Sequence, residues 1–338
     1  MEFGETTLEK AEGAVLAHSV PLPGGKRLRK GAVLGAEDLA ALRAAGVDRV
    51  TVARLAPGAV DEDSAARRLA AALVPDPETA GLTLQPVGTG RVNILAQGPG
   101  VVRIDAARID GVNRCDPTIT LATLPPWQRV AAGEMVATVK IIAYGVEGST
   151  LARACHAAQG ALALARPVLG HAALIQTSVG APFNADKGRR AIAPRLARLG
   201  VALAPDITVP HRIDALEAAL REASGDLLLI LTGSATSDLR DVAPEALRAA
   251  GGEVLHYGLP VDPGNLLFLG RLGGRPVIGL PGCARSPALN GADWVMERVI
   301  CGITLQPSDL MGMGVGGLLK EIPSRPRPRA TRAPEDQG

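Results

Sequence analysis

The chain has 338 residues, enough for two or three domains with proper hydrophobic cores. Its formal net charge of +2 is too near neutrality to indicate a nucleic-acid-binding protein. No apolar stretch approaches the ~20 residues of a membrane span, and the N-terminus MEFGETTLEK lacks a signal-peptide pattern. We therefore expect a cytoplasmic protein without a membrane partner. The cysteines are far apart and the histidines lack metal-binding spacing, which argues against structural zinc and a disulfide framework.

The first segment, residues 1–84, is predicted to be mixed α/β. It begins with a short polar stretch. A basic turn follows at residues 21–31, and its charges are typical of a solvated hairpin. A helix over 36–45 and a strand over 47–55 follow. An amphipathic helix, opened by acidic residues, is predicted over 61–73.

The second segment, residues 85–148, alternates short apolar runs with Gly and Pro. Runs such as RVNILA and EMVATVKII read as short strands separated by frequent turns. We predict a small β-rich domain here, with a helical insert near residues 106–112.

The third segment, residues 149–305, changes to alternating strands and helices. This order predicts a doubly wound α/β fold with a mostly parallel sheet, preceded by the smaller mixed and β-rich segments. Ligands bind such sheets beyond the carboxyl ends of the strands. The strands are predicted over residues 172–178, 201–209, 227–231, 253–257, 266–271 and 276–280, and the helices over residues 186–199, 213–223, 241–250 and 288–300.

The last segment, residues 306–338, declines into PSRPRPRATRAPEDQG. Proline and charge dominate its composition, so burial cannot offset the chain entropy of ordering it. We predict a disordered tail.

One junction in the third segment has the composition of an anion-binding turn. The apolar run at residues 227–231 ends in TGSATS, residues 232–237, whose small side chains leave N–H groups and hydroxyls accessible where the next helix begins. Asp238 and Asp241 follow. The sequence predicts a phosphate site here. The alternative is an ordinary strand-to-helix turn in which Asp241 caps the helix.

The block around this turn resembles the molybdopterin-binding domain of molybdenum insertases and related cofactor-biosynthesis proteins. Members of that family carry a TGGxSxGxxD loop, a PGKP-like turn and a GLPGNP-like turn in this order. The counterparts here are TGSATSDLRD at residues 232–241, DPGN at 262–265 and GLPGCA at 279–284. A weaker likeness to the preceding insertase segment covers residues 27–52. The CARSP form of the last turn is similar to a subgroup in which a molybdenum cofactor nucleotidyltransferase follows this domain.

The resemblance implies that these turns hold a pterin ligand by its phosphate. For Cys283 the alternative is a small buried residue that fills a gap. The cofactor-binding residues implied by the resemblance are Thr232, Gly233, Ser234, Thr236, Ser237, Pro263, Gly264, Asn265, Pro281, Gly282 and Cys283.

The chain departs from the family pattern at several positions. Ser234 and Asp238 stand where the family has glycine, and Asn265 and Asp262 stand where it has lysine. Each change removes backbone freedom or positive charge from the expected phosphate site. Two carboxylates beside a phosphate repel it, so we predict that Mg²⁺ is held by Asp238 and Asp241, which would then be the metal-binding and catalytic residues.

Two functions follow from the resemblance. The first is an insertase-like transferase that acts on adenylylated molybdopterin with molybdate and Mg²⁺. The second is a carrier that binds molybdopterin without turnover and presents it to a nucleotidyltransferase or an apo-molybdoenzyme. An unrelated nucleotide-binding protein of similar architecture stays open, because a fold alone does not fix function. A homo-oligomer is compatible with either function.

Overall fold

The structure is a computed structural model that describes residues 1–180 and 182–319. The chain divides into two compact units. One unit is formed by residues 1–98 and 102–164, and the other by residues 99–101 and the chain from residue 165 onward. Within the described ranges, no helix is both long and apolar enough to cross a membrane.

The first 165 residues combine short strands with helices. The strands are β1 (Glu2–Thr7), β2 (Val15–Leu16), β3 (Val20–Pro21), β4 (Arg27–Leu28), β5 (Arg49–Arg54), β6 (Ala59–Asp61), β7 (Leu82–Gly88), β8 (Arg91–Ala96), β9 (Gly100–Ile104), β10 (Ile119–Thr123), β11 (Arg129–Val130), β12 (Met135–Ile141), β13 (Gly145–Glu147) and β14 (Leu162–Ala165). The helices are α1 (Ala36–Ala44), α2 (Glu62–Leu73), α3 (Pro77–Ala80), α4 (Ala106–Asn113) and α5 (Gly148–Ala158).

The main sheet of the first unit is antiparallel, with the strand order β10-β12-β8-β7. β8 alternates between buried residues and more exposed ones, because one face of the sheet is covered and the other meets solvent. Leu69 of α2 and Leu151 of α5 lie in the same buried core as Ile94 of β8. The predicted β-rich segment is therefore confirmed, and α4 is its helical insert. The unit continues to residue 164, past the expected boundary at residue 148, because α5 packs into this core.

The second unit contains the larger sheet and the helices that cover it. Its strands are β15 (His171–Ser178), β16 (Ala202–Leu203), β17 (Ile207–Pro210), β18 (Leu227–Leu231), β19 (Glu253–Tyr257), β20 (Phe268–Leu272) and β21 (Arg275–Leu280). Its helices are α6 (Ala185–Ala197), α7 (Ile213–Glu222), α8 (Val242–Ala249), α9 (Gly291–Ile300) and α10 (Pro307–Met311).

This sheet has seven strands in the order β16-β15-β18-β21-β20-β19, with β17 also paired to β15. All pairs are parallel except those made by β20, which runs against both β21 and β19. Every residue of β18 is buried, as expected for a strand covered on both faces. The carboxyl ends of β15, β17, β18 and β21 therefore meet at one edge, and the predicted doubly wound α/β fold is confirmed.

Two expectations for this unit were wrong in part. The strand predicted over residues 201–209 is interrupted at Pro205 and forms β16 and β17 instead, because proline has no N–H to donate to a ladder. The tail predicted to be disordered from residue 306 contains α10, with Leu310 buried, and the N–H of Leu319 donates to the carbonyl of Asp262 at 2.9 Å. The prediction therefore fails for residues 307–319, and residues 320–338 lie outside the described residues.

Aromatic residues make up 2% of the chain, and Phe268 is one of three phenylalanines. It is fully buried on β20 and is paired in register with Gly279 of β21. A Cβ added at Gly279 would lie 1.9 Å from Cε1 of the Phe268 ring. The ring thus covers the glycine, and this contact fills the core where the sheet enters the GLPGCA turn.

We expect Gly279→Ala to lower the free energy of unfolding by ~1–3 kcal/mol, since a buried ring cannot yield without moving its neighbours. Gly4→Ala in β1 is the control: no atom lies within 4 Å of its added Cβ, so its effect should stay within about 0.5 kcal/mol. Urea unfolding of both variants measures the difference. In a Phe268→Leu background Gly279→Ala should cost less; an undiminished cost would mean that the ring is not the obstacle.

Candidate ligand-binding site at the carboxyl edge of the sheet

The turn at residues 232–241 leaves the carboxyl end of β18 and leads into α8. Thr232 and Thr236 are buried, while residues 233–235 are exposed. In the part of the chain that the structure describes, the backbone N–H groups of residues 234–236 donate to no protein acceptor. The turn therefore offers consecutive free N–H donors six to eight residues before the first residue of α8, and a run of free backbone N–H groups in a turn can bind an anion.

Neighbouring strands hold this turn at two points. The N–H of Gly233 donates to Oγ1 of Thr177, at the end of β15, at 2.9 Å. A Cβ at Gly233 would lie 2.6 Å from the carbonyl oxygen of Thr177, so glycine permits this close approach. The hydroxyl of Tyr257, at the end of β19, donates to the carbonyl of Thr236 at 3.0 Å. Burial raises the pKa of Tyr257, which keeps this donor protonated.

The two carboxylates predicted to bind metal are already bonded within the turn. Oδ1 of Asp241 accepts from the N–H of Val242 at 2.7 Å, and Oδ2 accepts from the N–H of Ser237 at 3.1 Å. Asp241 is thus the N-cap of α8, as the capping alternative predicted. Asp238 accepts from the Nε of Arg240 at 3.0 Å, and this guanidinium lowers the pKa of the Asp238 carboxyl.

The GLPGCA turn meets the first turn through an arginine. Residues Gly282–Arg285 form one turn of 3₁₀-helix after β21, and Nη2 of Arg285 donates to the carbonyl of Thr232 at 2.8 Å. Partial burial lowers the pKa of Arg285. Cys283 is exposed, and its Sγ accepts from the Nδ2 of Asn290 at 3.0 Å. The alternative interpretation of Cys283 as a buried gap-filler is therefore wrong.

The DPGN turn contacts Asn290 and Gly291 at the start of α9. The N–H of Gly291 donates to the carbonyl of Pro263 at 2.8 Å. A Cβ at Gly264 would lie 2.7 Å from the N atom of Gly291 and 3.1 Å from Oδ1 of Asn290. Asn265 is exposed. Asn290, which is 1% exposed, thus contacts both the DPGN turn and Cys283.

A buried arginine of α6, Arg195, holds the end of the GLPGCA turn and the residues after it through hydrogen bonds. Arg195 and Asp293 are ion-paired through Nε and Oδ1, with their side chains 7% and 8% exposed. Oδ2 of Asp293 accepts from the N–H of Asn290 at 2.9 Å. Every nitrogen of the guanidinium is used. Its Nη atoms donate to the carbonyls of Ala191, Ala284, Ser286 and Ala288 at 2.7, 3.0, 2.8 and 2.9 Å.

The structure thus brings the three turns together at one edge, and Arg285 and Asn290 connect them. Among the predicted binding residues, Thr232 and Thr236 are set back from the surface, since they are only 4% and 6% exposed. Whether the others contact a ligand stays a prediction. Sequence reasoning missed several residues near this edge: Arg285 lies in the CARSP turn but was not assigned a role, and the others belong to no recognisable motif. They are Thr177, Arg195, His211, Arg285 and Asn290.

The arrangement of the Asp238 and Asp241 carboxylates does not fit a magnesium site. Among the described residues, no group of three or more His, Cys, Asp and Glu side chains is arranged to hold a metal ion. Mg²⁺ needs oxygen ligands that are open to it, whereas Asp238 is paired with Arg240 and Asp241 is bonded to two N–H groups. The predicted roles of Mg²⁺ and molybdate stay predictions.

Residues 175–299 match a family model described as "Probable molybdopterin binding domain". The match contains β18, β21 and all three turns of the candidate site. This part of the chain is therefore a domain of the molybdopterin-binding family. Residues 5–54 match a second family model, described as "Domain of unknown function (DUF8806)". No curated protein matches the chain.

Solved structures of cofactor-biosynthesis proteins are distantly similar to the chain. A molybdopterin biosynthesis MoeA protein from Pyrococcus horikosii is 14% identical, with 93% of this chain and 76% of that chain covered and a TM-score of 0.28. Molybdenum cofactor biosynthesis protein B is 15% identical, with 39% and 88% covered and a TM-score of 0.27. A molybdenum cofactor biosynthesis protein from Pyrococcus furiosus is 14% identical, with 92% and 65% covered and a TM-score of 0.23.

We expect Arg195→Met to destabilise the second unit by about 3–5 kcal/mol, because it leaves the buried Asp293 carboxylate without a counter-charge. Arg190→Met, on the same helix, is the matched control: Arg190 is exposed, so its loss should cost at most about 0.5 kcal/mol. Thermal unfolding of both variants compares the two. Equal losses would contradict the role given to the buried pair.

Proposed function

We propose that the second unit binds molybdopterin at its carboxyl edge and acts in molybdenum cofactor biosynthesis as a holder of the cofactor. The observation that carries this proposal is the row of free backbone N–H groups at residues 234–236, inside the domain that matches the molybdopterin-binding family. Molybdopterin ends in a phosphate. Consecutive backbone donors in a turn bind such a group without a lysine, which suits a site where Asn265 stands in place of that residue.

A holder fits the local charges better than an enzyme does. Asp238 accepts from Arg240, and Asp241 accepts from the N–H groups of Ser237 and Val242, so both carboxylates are engaged by protein donors. A phosphate at residues 234–236 would be bound by backbone N–H groups. These contacts support recognition of an anion at this turn.

A second candidate function is insertion of molybdate into adenylylated molybdopterin. Asp241 favours it, because this aspartate keeps the position that the family motif gives to its last residue. On this candidate, ligand binding must draw Asp241 away from its capping bonds. Either function would give the chain a nucleotidyltransferase or an apo-molybdoenzyme as the recipient of the bound cofactor.

Ser234→Glu should weaken molybdopterin binding about tenfold or more, because it adds a negative charge to the exposed turn beside the phosphate. Ser224→Glu makes the same charge change at the amino end of β18, where Ser224 is exposed, and should leave the affinity unchanged. Anaerobic isothermal titration of both variants with molybdopterin measures the affinities. Equal affinity in Ser234→Glu and the parent would remove this turn from the site.

Release of AMP from adenylylated molybdopterin separates the two candidates. If the protein is a holder, the parent releases no AMP with molybdate and Mg²⁺ present, and Asp241→Asn binds the pterin as well or better because a repulsive charge is gone. If it is an insertase, Asp241→Asn abolishes release while its pterin affinity stays within about tenfold, or 1.4 kcal/mol. Asp238→Gly then leaves release intact or raises it. A parent that neither binds nor releases would contradict both candidates.

A further inference from the structure

His211 is connected to the proposed phosphate turn by two hydrogen bonds in series. It directly follows β17, and its N–H donates to the carbonyl of Ser178 at 2.8 Å. Its ring Nδ1 lies 2.8 Å from Oγ1 of Thr177, and the same Oγ1 accepts from the N–H of Gly233 at 2.9 Å. One buried hydroxyl therefore joins the imidazole to the start of the 232–241 turn.

The burial of Thr177 decides which way its hydroxyl points. Thr177 is 0% exposed, so its hydroxyl finds its partners inside the fold. The Gly233 N–H takes one lone pair of Oγ1, and within the described residues the only acceptor in reach of the hydroxyl hydrogen is Nδ1 of His211. An unused buried hydroxyl donor would cost about 1–3 kcal/mol. The hydroxyl therefore donates to Nδ1.

This direction fixes the protonation pattern of the ring. Nδ1 is an acceptor, so the neutral imidazole carries its hydrogen on Nε2. The neutral ring therefore presents Nε2–H as its donor, and His211 lies at the carboxyl edge because β17 and β15 are parallel and end side by side.

The charged groups around His211 leave this donor role open. Arg212 and Asp214, at the start of α7, are bonded to each other and exposed, with Nε of Arg212 donating to Oδ1 of Asp214 at 3.0 Å. The elements next to His211 present Thr177 and Ser178 from β15 and Gly233 from the turn after β18, none of which is charged. His211 is itself half-buried. Within the described residues Nε2 of His211 has no hydrogen-bond partner, so this donor is open to a ligand.

We propose that His211 is a further binding residue of this site and that its Nε2–H donates to a phosphate oxygen of the pterin ligand. The proposal rests on the proposed function, and it names the part of the ligand that is recognised. It gives the chain a side-chain donor at an edge where Asp262 and Asn265 stand in place of lysines. Thr177 is a positioning residue in this arrangement, because it fixes both the ring of His211 and the turn at Gly233.

Two pterin probes that differ only in a phosphate test this role. Neopterin and neopterin monophosphate are titrated into the parent and into His211→Phe, which keeps a ring of similar size and removes both nitrogens. We expect His211→Phe to reduce the preference for the phosphorylated probe about tenfold, or 1.4 kcal/mol, without changing the affinity for neopterin. His171→Phe, at the opposite end of β15, is the matched control and should change neither affinity.

The outcomes separate this proposal from the proposed function. If the parent binds neither probe, the proposed function fails. If the parent prefers the phosphorylated probe and His211→Phe keeps that preference, the role of His211 fails while the proposed function stands. His211→Gln, whose amide can accept from Thr177 and donate outward, should restore much of the preference.

The tautomer itself is measured by NMR on histidine labelled with ¹⁵N, with the His211 signal assigned by its absence from His211→Phe. We expect the Nε2–H form in the parent and in Thr177→Ser, and a mixture of both tautomers in Thr177→Val, which has no hydroxyl. A parent signal of the Nδ1–H form would overturn the proposal even if the affinities behaved as expected.

Discussion

The parallel pairing of β15, β18 and β21 is the constraint on which the second unit depends. The register sets Leu231 beside both Gln176 and Leu280, so β18 and β21 end in register and β15 ends two residues further on, at Ser178. Because every residue of β18 is buried, a slip in this register would disturb the side-chain packing on both faces of the sheet. The turns that follow these strands are therefore brought to one edge by the sheet, before any contact among the turns is made.

Contacts beneath the edge then fix the turns relative to one another. Arg195 donates hydrogen bonds to carbonyl groups in residues 284–288, and the carboxylate of Asp293 balances its positive charge. Buried ion pairs of this kind stabilise a particular conformation more than they add net stability, because desolvation offsets much of the attraction. In this protein the ion pair stabilises the conformation of the segment between β21 and α9, whose carbonyl groups accept from Arg195. The exposed face of the turn is left to Cys283 and Gly282.

The sequence predicted the parts of this fold that depend on local pattern. The apolar run of β18, the helix after Asp241 and the alternation of strands and helices all follow from neighbouring residues. The break at Pro205 was not predicted, because the apolar residues 201–204 and the β-branched residues 207–209 together resemble one strand across Pro205 and Asp206. The sequence could not predict Arg195, because its partner Asp293 is 98 positions away and arginines of helices are usually exposed. The same holds for Thr177 and His211, which are joined only when β15 and β17 pair.

One consequence follows from the reversed strand β20. Because β19 runs against β20, and β20 runs against β21, the direction of β19 is restored and its last residue, Tyr257, also reaches the carboxyl edge. Two hydrogen bonds therefore hold the turn after β18: one joins Thr177 to Gly233, and the other joins Tyr257 to Thr236. A ligand meets a turn whose backbone is already arranged, so little conformational entropy is lost on binding. Recognition at this edge is then closer to lock-and-key than to folding of a loop around its ligand.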